Sequence, residues 1–378
     1  MSANNATLSH PIVEKKKKVV TSQRRYDVDW LRTLALGLLI IYHVAITFQP
    51  WAPSIGFIVN DKPLEWVWTT MGMINVWRIP ILFLISGMGV CFAMQRRNWQ
   101  ELLQDRTLRI LLPFAFGFFF ITPISAFFVA NYYYGVNDYY EAHAGHLWFL
   151  ANLFVYVLVL MPVFYYWKHN PDNIVFRFLA NVFQRPMGLL IVAVPLMLEA
   201  LIIDPETFSR YAGTWHGFWL GLVCFLIGFV FISLQGVFWE EVRKLRWITL
   251  AIGFGLYLMR VWEVDQGDFQ NALLAFESMS WMLAILGFGS LYLNRPSNTL
   301  RYLSRAVYPV YILHMPIQYI LSYYIVPLDM PAELKLIALT VGTLGISMLI
   351  YEFVLMRIKW IRPLFGLKLN YAPIKVKA

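Results

Sequence analysis

Two polar side chains, Arg32 and His43, stand in the otherwise apolar run DVDWLRTLALGLLIIYH of residues 27 to 43. On an α-helix their eleven-residue spacing leaves them about 20° apart around the axis and roughly 16 Å apart along it. One stripe thus offers a guanidinium, which binds oxyanions, and an imidazole, which takes a proton or attacks a carbonyl. A snorkelling arginine and a histidine bonded to a neighbouring helix fit the same positions. Further along, QDRTLRILLP sets Arg106 and Arg109 three apart at a helix start. Paired guanidinium planes match phosphate or pyrophosphate oxygens. GHLWFL supplies His146 and Trp148, and YPVYILHMP supplies His314, with Tyr311 three before it and Pro316 two after. A proline there opens the helix ladder and frees carbonyls. Arg78 lies mid-run just before Pro80 and the turn-like LISGMG. Bare charge at that depth is costly, so a carboxylate partner is expected among Glu199, Glu277 and Glu352.

These residues sit in elements built for lipid. The chain is 59% hydrophobic and 14% charged, with a mean hydropathy of +0.57, far from a soluble balance. Runs of about 20 apolar residues, enough for roughly 30 Å of hydrocarbon, occur near 28–48, 66–94, 108–131, 146–167, 187–203, 215–234, 247–260, 270–293, 306–327 and 334–356. The expectation is an all-α polytopic transmembrane bundle of about ten spans, with the short run 247–260 and a break at Pro80 leaving the count open by one. The runs are continuous rather than alternating, which argues against a barrel. With a cytoplasmic amino terminus, all but six of the 31 basic residues fall on the cytoplasmic side. Lys62, Arg210, Arg260 and Lys335 fall opposite, and Arg32 and Arg78 within spans. That bias implies an even number of spans with both termini inside. It also accounts for the net charge of +9 through anionic lipid headgroups, so no nucleic-acid partner is expected. Residues 1–25 read as a basic cytoplasmic tail, 26–360 as the membrane domain and 361–378 as a second basic tail. Cys91 and Cys224 fall within or beside spans and suggest no disulfide framework, and no metal site is indicated. With no soluble domain, repeat or Walker motif in view, any chemistry belongs to the bundle.

The run DWLRTLALGLLIIYH, RIPILFLISGMG, the RTLR of residues 106 to 109, HLWFL and YPVYILH together resemble the acyltransferase 3 family of membrane O-acyltransferases. Within it the chain looks like the branch that includes the glucans biosynthesis protein C succinyltransferases. The resemblance runs from about residue 25 to 360, and its most specific signals are the Arg followed ten residues later by His and the RxxR. It implies transfer of an acetyl or succinyl group from cytoplasmic acyl-CoA, a donor substrate and not a bound cofactor, to a hydroxyl of a periplasmic or cell-surface glycan. His43 is then the catalytic base or acyl carrier, with Arg32 as partner and His314 in a catalytic or orienting role. Arg106 and Arg109, with Ser86 and Gly87 of the SG element, are linked to the donor, and Asp29 matches an acidic residue three before the Arg. A succinyl group would want a cation deep in the channel, for which Arg78 is placed. His146, Trp148 and the aromatic rings of Trp51, Tyr132 to Tyr134, Tyr139, Tyr140 and Trp215 fall on the outer side, where they fit stacking against an acceptor sugar and an interfacial aromatic belt alike. A transporter or exporter of a glycan or lipid-linked precursor is the alternative class, and it need not consume a thioester.

Overall fold

The computed structural model of the 378-residue chain describes residues 24–262 and 270–369. Among them there are helices and no strand. In order the helices are α1 (Tyr26–Ile46), α2 (Trp66–Met94), α3 (Trp99–Arg106), α4 (Leu112–Phe116), α5 (Thr122–Tyr134), α6 (Trp148–His169) and α7 (Ile174–Phe183). They continue with α8 (Val194–Ile203), α9 (Trp215–Ser233), α10 (Gln235–Val261), α11 (Gln270–Tyr292), α12 (Asn298–Ile325) and α13 (Ala332–Ile350). Two π-helical turns, Thr107–Leu111 and Gly117–Ile121, join α3, α4 and α5 into one run of 36 residues. In lipid only a structure that closes its own backbone hydrogen bonds survives, which is why these apolar runs are helical throughout.

Seven helical runs are long and apolar enough to cross a membrane, and they mark the chain as a membrane protein. Each of the ten expected runs is helical, but three do not meet that standard. Residues 187–203 hold a 3-10 turn and the short α8. The run 247–260 is one half of α10, whose other half carries Glu240, Glu241, Arg243, Lys244 and Arg246. The run 306–327 lies on α12, whose apolar character is diluted by Arg301, Arg305, His314 and Gln318.

Two helix pairs frame the polar interior. α1 and α12 run the same way: Arg32 and Arg305 line one cavity near their starts, and His314 and Gln318 reach His43 near the end of α1. α10 and α11 run opposite ways, joined by Arg243 to Ser290 (3.0 Å) at one end and Arg260 to Glu277 (2.9 Å) at the other.

α2 passes through Pro80 and LISGMG without a break, contrary to the expected interruption. Proline removes one donor, the N–H that would have reached the Val76 carbonyl four residues back. Tyr211 takes its place, its hydroxyl donating to that carbonyl at 3.1 Å. Glycines then let α2 and α9 touch backbone to backbone. A Cβ on Gly87 would stand 1.9 Å from the Phe225 carbonyl oxygen, and one on Gly228 would stand 1.9 Å from that of Leu84. Gly87→Ala is expected to destabilise the protein by about 3 kcal/mol, the upper range for overpacking, read as a fall in melting temperature in detergent. Gly89→Ala, where a Cβ meets nothing within 4 Å, is the neutral control.

Residues 361–369 of the expected carboxy-terminal tail are among those described. Lys359–Phe365 forms a 3-10 turn with Arg362 and Phe365 buried, and Arg362 donates to the carbonyls of Leu355, Met356 and Leu369. Residues 1–23 and 370–378 of the two expected tails lie outside the described residues.

Candidate active site

Three imidazoles from distant parts of the chain converge. His43 lies in the last turn of α1, His314 in the middle of α12, and His146 in the 3-10 turn Gly145–Leu147 that opens α6. The rings of His43 and His314 are parallel within 8° with centroids 5.3 Å apart, and His146 meets His314 edge-on at 5.0 Å. His43 Nδ1 is 3.0 Å from His314 Nε2, while His314 Nδ1 faces the Tyr311 carbonyl at 2.6 Å.

That carbonyl decides where the protons sit. A carbonyl only accepts, so His314 Nδ1 carries the hydrogen and, in the neutral ring, Nε2 carries the lone pair. His43 Nδ1 must then donate to it. The chain of assignments leaves the His43 Nε2 lone pair unused. His314 is fully buried, whereas His43 is only partly so; of the two rings, His43 is the one with accessible surface. His314 holds its tautomer and orientation.

Prolines in α12 supply part of this scaffold. Pro316 has no N–H for the Ile312 carbonyl four residues back, and His146 Nε2 donates to that carbonyl at 3.1 Å. Tyr311 returns its hydroxyl to the His146 carbonyl, and Gln318 donates to the His43 carbonyl at 2.8 Å. The freed carbonyl expected from YPVYILHMP is therefore present, and its partner is another candidate site residue. Trp148, two residues beyond His146, packs edge-on against Phe83 at 5.9 Å.

Arg78 is buried, with its guanidinium carbon 3.6 Å from the centre of the Tyr42 ring. Tyr42 in turn lies 5.8 Å from the His43 ring. The carboxylate expected for Arg78 is absent: Glu199 is bonded to His216 at 3.0 Å, Glu277 to Arg260 at 2.9 Å and Glu352 to the Tyr302 hydroxyl at 3.0 Å. Asn75 accepts from one guanidinium nitrogen at 3.0 Å, and Nε and Nη1 find no hydrogen-bond partner among the described residues. Cation–π contact with Tyr42 offsets some of the cost of the buried charge. The two open N–H directions make Arg78 a candidate for an anionic group of a ligand.

At the face where α1 starts, Asp29 receives Arg24 at 2.7 Å and Arg32 at 3.4 Å. The RxxR pair meets a π-helical turn, and Arg106 lies within electrostatic reach of Asp105, Arg109 and Arg97. Arg109 pairs with Asp105 at 3.1 Å, and Asp105 also holds Arg97 at 3.0 Å. Arg106 keeps a buried Nε without a partner among the described residues. Ser86 bonds the Leu82 carbonyl of its own helix at 2.7 Å, and Gly87 is occupied by its backbone contact with α9. Reading the sequence passed over Arg301, Ser304 and Arg305, which line a cavity with Arg24, Asp29 and Arg32. Their signal was a basic pair four apart, just after the Ser297 cap of α12.

The family model described as an acyltransferase domain matches residues 25–352. Glucans biosynthesis protein C of Escherichia coli O157:H7 (strain EC4115 / EHEC) is 23% identical, covering 92% of this chain and 95% of that protein. The proteins of the same name from Escherichia coli strain SMS-3-5 / SECEC and Escherichia coli O9:H4 (strain HS) are each 22% identical over the same shares. No solved structure matches the chain.

Proposed function

The chain belongs to the acyltransferase 3 family, and on that premise we propose that it is an O-acyltransferase. It moves an acyl group from acyl-CoA on the basic face to a glycan hydroxyl on the other. The observation that carries this reading is the His43–His314 pair with its open Nε2, set on two parallel helices whose starts are lined with arginine. His43 Nε2 takes the proton of the acceptor hydroxyl as its oxygen attacks the thioester carbonyl. The tetrahedral oxyanion collapses, the C–S bond breaks, and the imidazolium returns its proton to the departing thiolate. An ester and a free thiol result. Through the same steps His314 Nε2 accepts the His43 Nδ1 hydrogen, which steadies the imidazolium much as the third member of a hydrolytic triad does.

The basic face is the cytoplasmic one, both termini lie there, and the membrane is a bacterial inner membrane. α8, α10 and α12 complete ten spans, since α12 accompanies α1 and α10 accompanies α11 over most of their lengths. Arg78 reads the acyl group, favouring one that ends in a carboxylate. The acceptor is a glucan or related glycan, consistent with the name carried by the similar proteins.

Purified protein is to be given acetyl-CoA or succinyl-CoA with and without a periplasmic glycan fraction, and free CoA measured. Glycan-dependent release of CoA, with ester-linked acyl groups on the glycan, is the expected result. Folded protein that consumes neither thioester would overturn the proposal in favour of a transporter.

A further inference from the structure

The cavity at the starts of α1 and α12 is unlike the rest of the basic face. Its volume is about 520 Å³, and among the described residues Arg24, Arg32, Arg301 and Arg305 line it with Ser304 and one acid, Asp29. Arg301 and Arg305 are four apart on one helix, so they share a face. Arg24 and Arg32 come from either side of the α1 start, and Asp29 is the counter-charge to both. Arg32 Nε is buried and without a partner among the described residues. Among the described residues Arg24, Arg32 and Arg301 share one carboxylate there, which leaves net positive charge in a concave site and concentrates anions.

Distance selects the anion. Arg32 stands eleven residues before His43, about 16 Å at the helical rise, and Arg305 stands nine before His314, about 14 Å. An extended pantetheine arm of about a dozen bonds reaches roughly 15 Å at ~1.2 Å per bond. A thioester whose phosphates lie in the cavity thus brings its carbonyl to the imidazole pair, along two helices that run the same way.

Resting on the acyl-transfer proposal, we infer that this arginine cradle is the phosphate subsite of the donor and takes the pyrophosphate and ribose phosphate of a nucleotide thioester. The sequence-level assignment of phosphate binding to Arg106 and Arg109 is thereby moved to α1 and α12. Arg106 is left to line the path inward.

The test compares the acyl-CoA that the wild type consumes with the matching acyl-pantetheine, which lacks the nucleotide, in nanodiscs of neutral or anionic lipid. Wild type is expected to prefer the CoA thioester in kcat/KM. The Arg301→Gln/Arg305→Gln double variant should lose at least tenfold of that preference through KM, and the wild-type KM should rise with salt more steeply than the variant's. Arg24→Gln, at a more exposed position, should lose part of it and guards against misfolding of the double variant. An unchanged preference in all variants overturns the inference while leaving acyl transfer standing. So does a variant effect seen only as altered dependence on anionic lipid, since the cradle would then hold lipid phosphate. Wild type that consumes neither thioester overturns both.

Discussion

His43→Ala is expected to lower acyl transfer by about a thousandfold or more, within the upper range for a lost general base, while the protein stays folded in the membrane. The reason is geometric. His43 and His146 each combine partial exposure with a ring nitrogen outside the cluster's hydrogen bonds, but His43 has its other nitrogen held by a second imidazole, His314. The His314 variants separate positioning from bulk. His314→Ala removes the acceptor that fixes the His43 tautomer and should cost about a hundredfold in kcat. His314→Gln offers an amide oxygen to the same His43 N–H and should recover at least tenfold of that loss, with the donor KM alike in both. Equal kcat in the Ala and Gln variants would show that His314 merely fills space. Retained turnover in His43→Ala would remove His43 from the chemistry.

The second large effect is expected at Arg78. Its guanidinium carbon is no farther from the His43 ring than 9.4 Å, the 3.6 Å to Tyr42 and the 5.8 Å from Tyr42 to His43 laid end to end. The two end carbons of a succinyl chain are about 4 Å apart, and a charge-assisted bond to a carboxylate adds a little under 3 Å. A carboxylate-tailed acyl group can therefore reach Arg78 while its thioester lies at His43. Such a bond contributes about 1.5–3 kcal/mol, or roughly 10- to 100-fold in rate. Arg78→Gln should shift the ratio of succinyl-CoA to acetyl-CoA turnover by that amount toward acetyl. If both donors fall equally, Arg78 serves the oxyanion common to both instead. If the wild type prefers acetyl-CoA, the carboxylate assignment is wrong at the outset.

How much of this was legible depends on how local each feature is. The Arg32 to His43 stripe needed only helical geometry, and α1 is helical across it. The carbonyl freed by Pro316 also followed from one residue's chemistry, though nothing along the chain named His146 as its partner. The RxxR pair was legible as a motif, but the π-turn that carries Arg109 and the Asp105 that holds it were not. The carboxylate sought for Arg78 was an inference from cost alone. All three candidate acids had nearer partners, and an arginine reserved for a ligand looks in a sequence like one awaiting a salt bridge. Gly87 carried a functional expectation from its motif, but a contact with α9, more than a hundred residues away, uses the position for packing.

By itself the sequence determined the membrane setting and the helical character of the chain, because hydropathy and helix period act over a few turns of chain. It also identified the imidazoles by type. Tertiary structure alone decided which of them meet, which nitrogen of each carries the proton, and which arginines share a cavity. Those properties depend on contacts between distant helices, 271 residues apart for His43 and His314, and a hydrogen bond of about 3 Å across such a gap leaves no periodic mark in the chain.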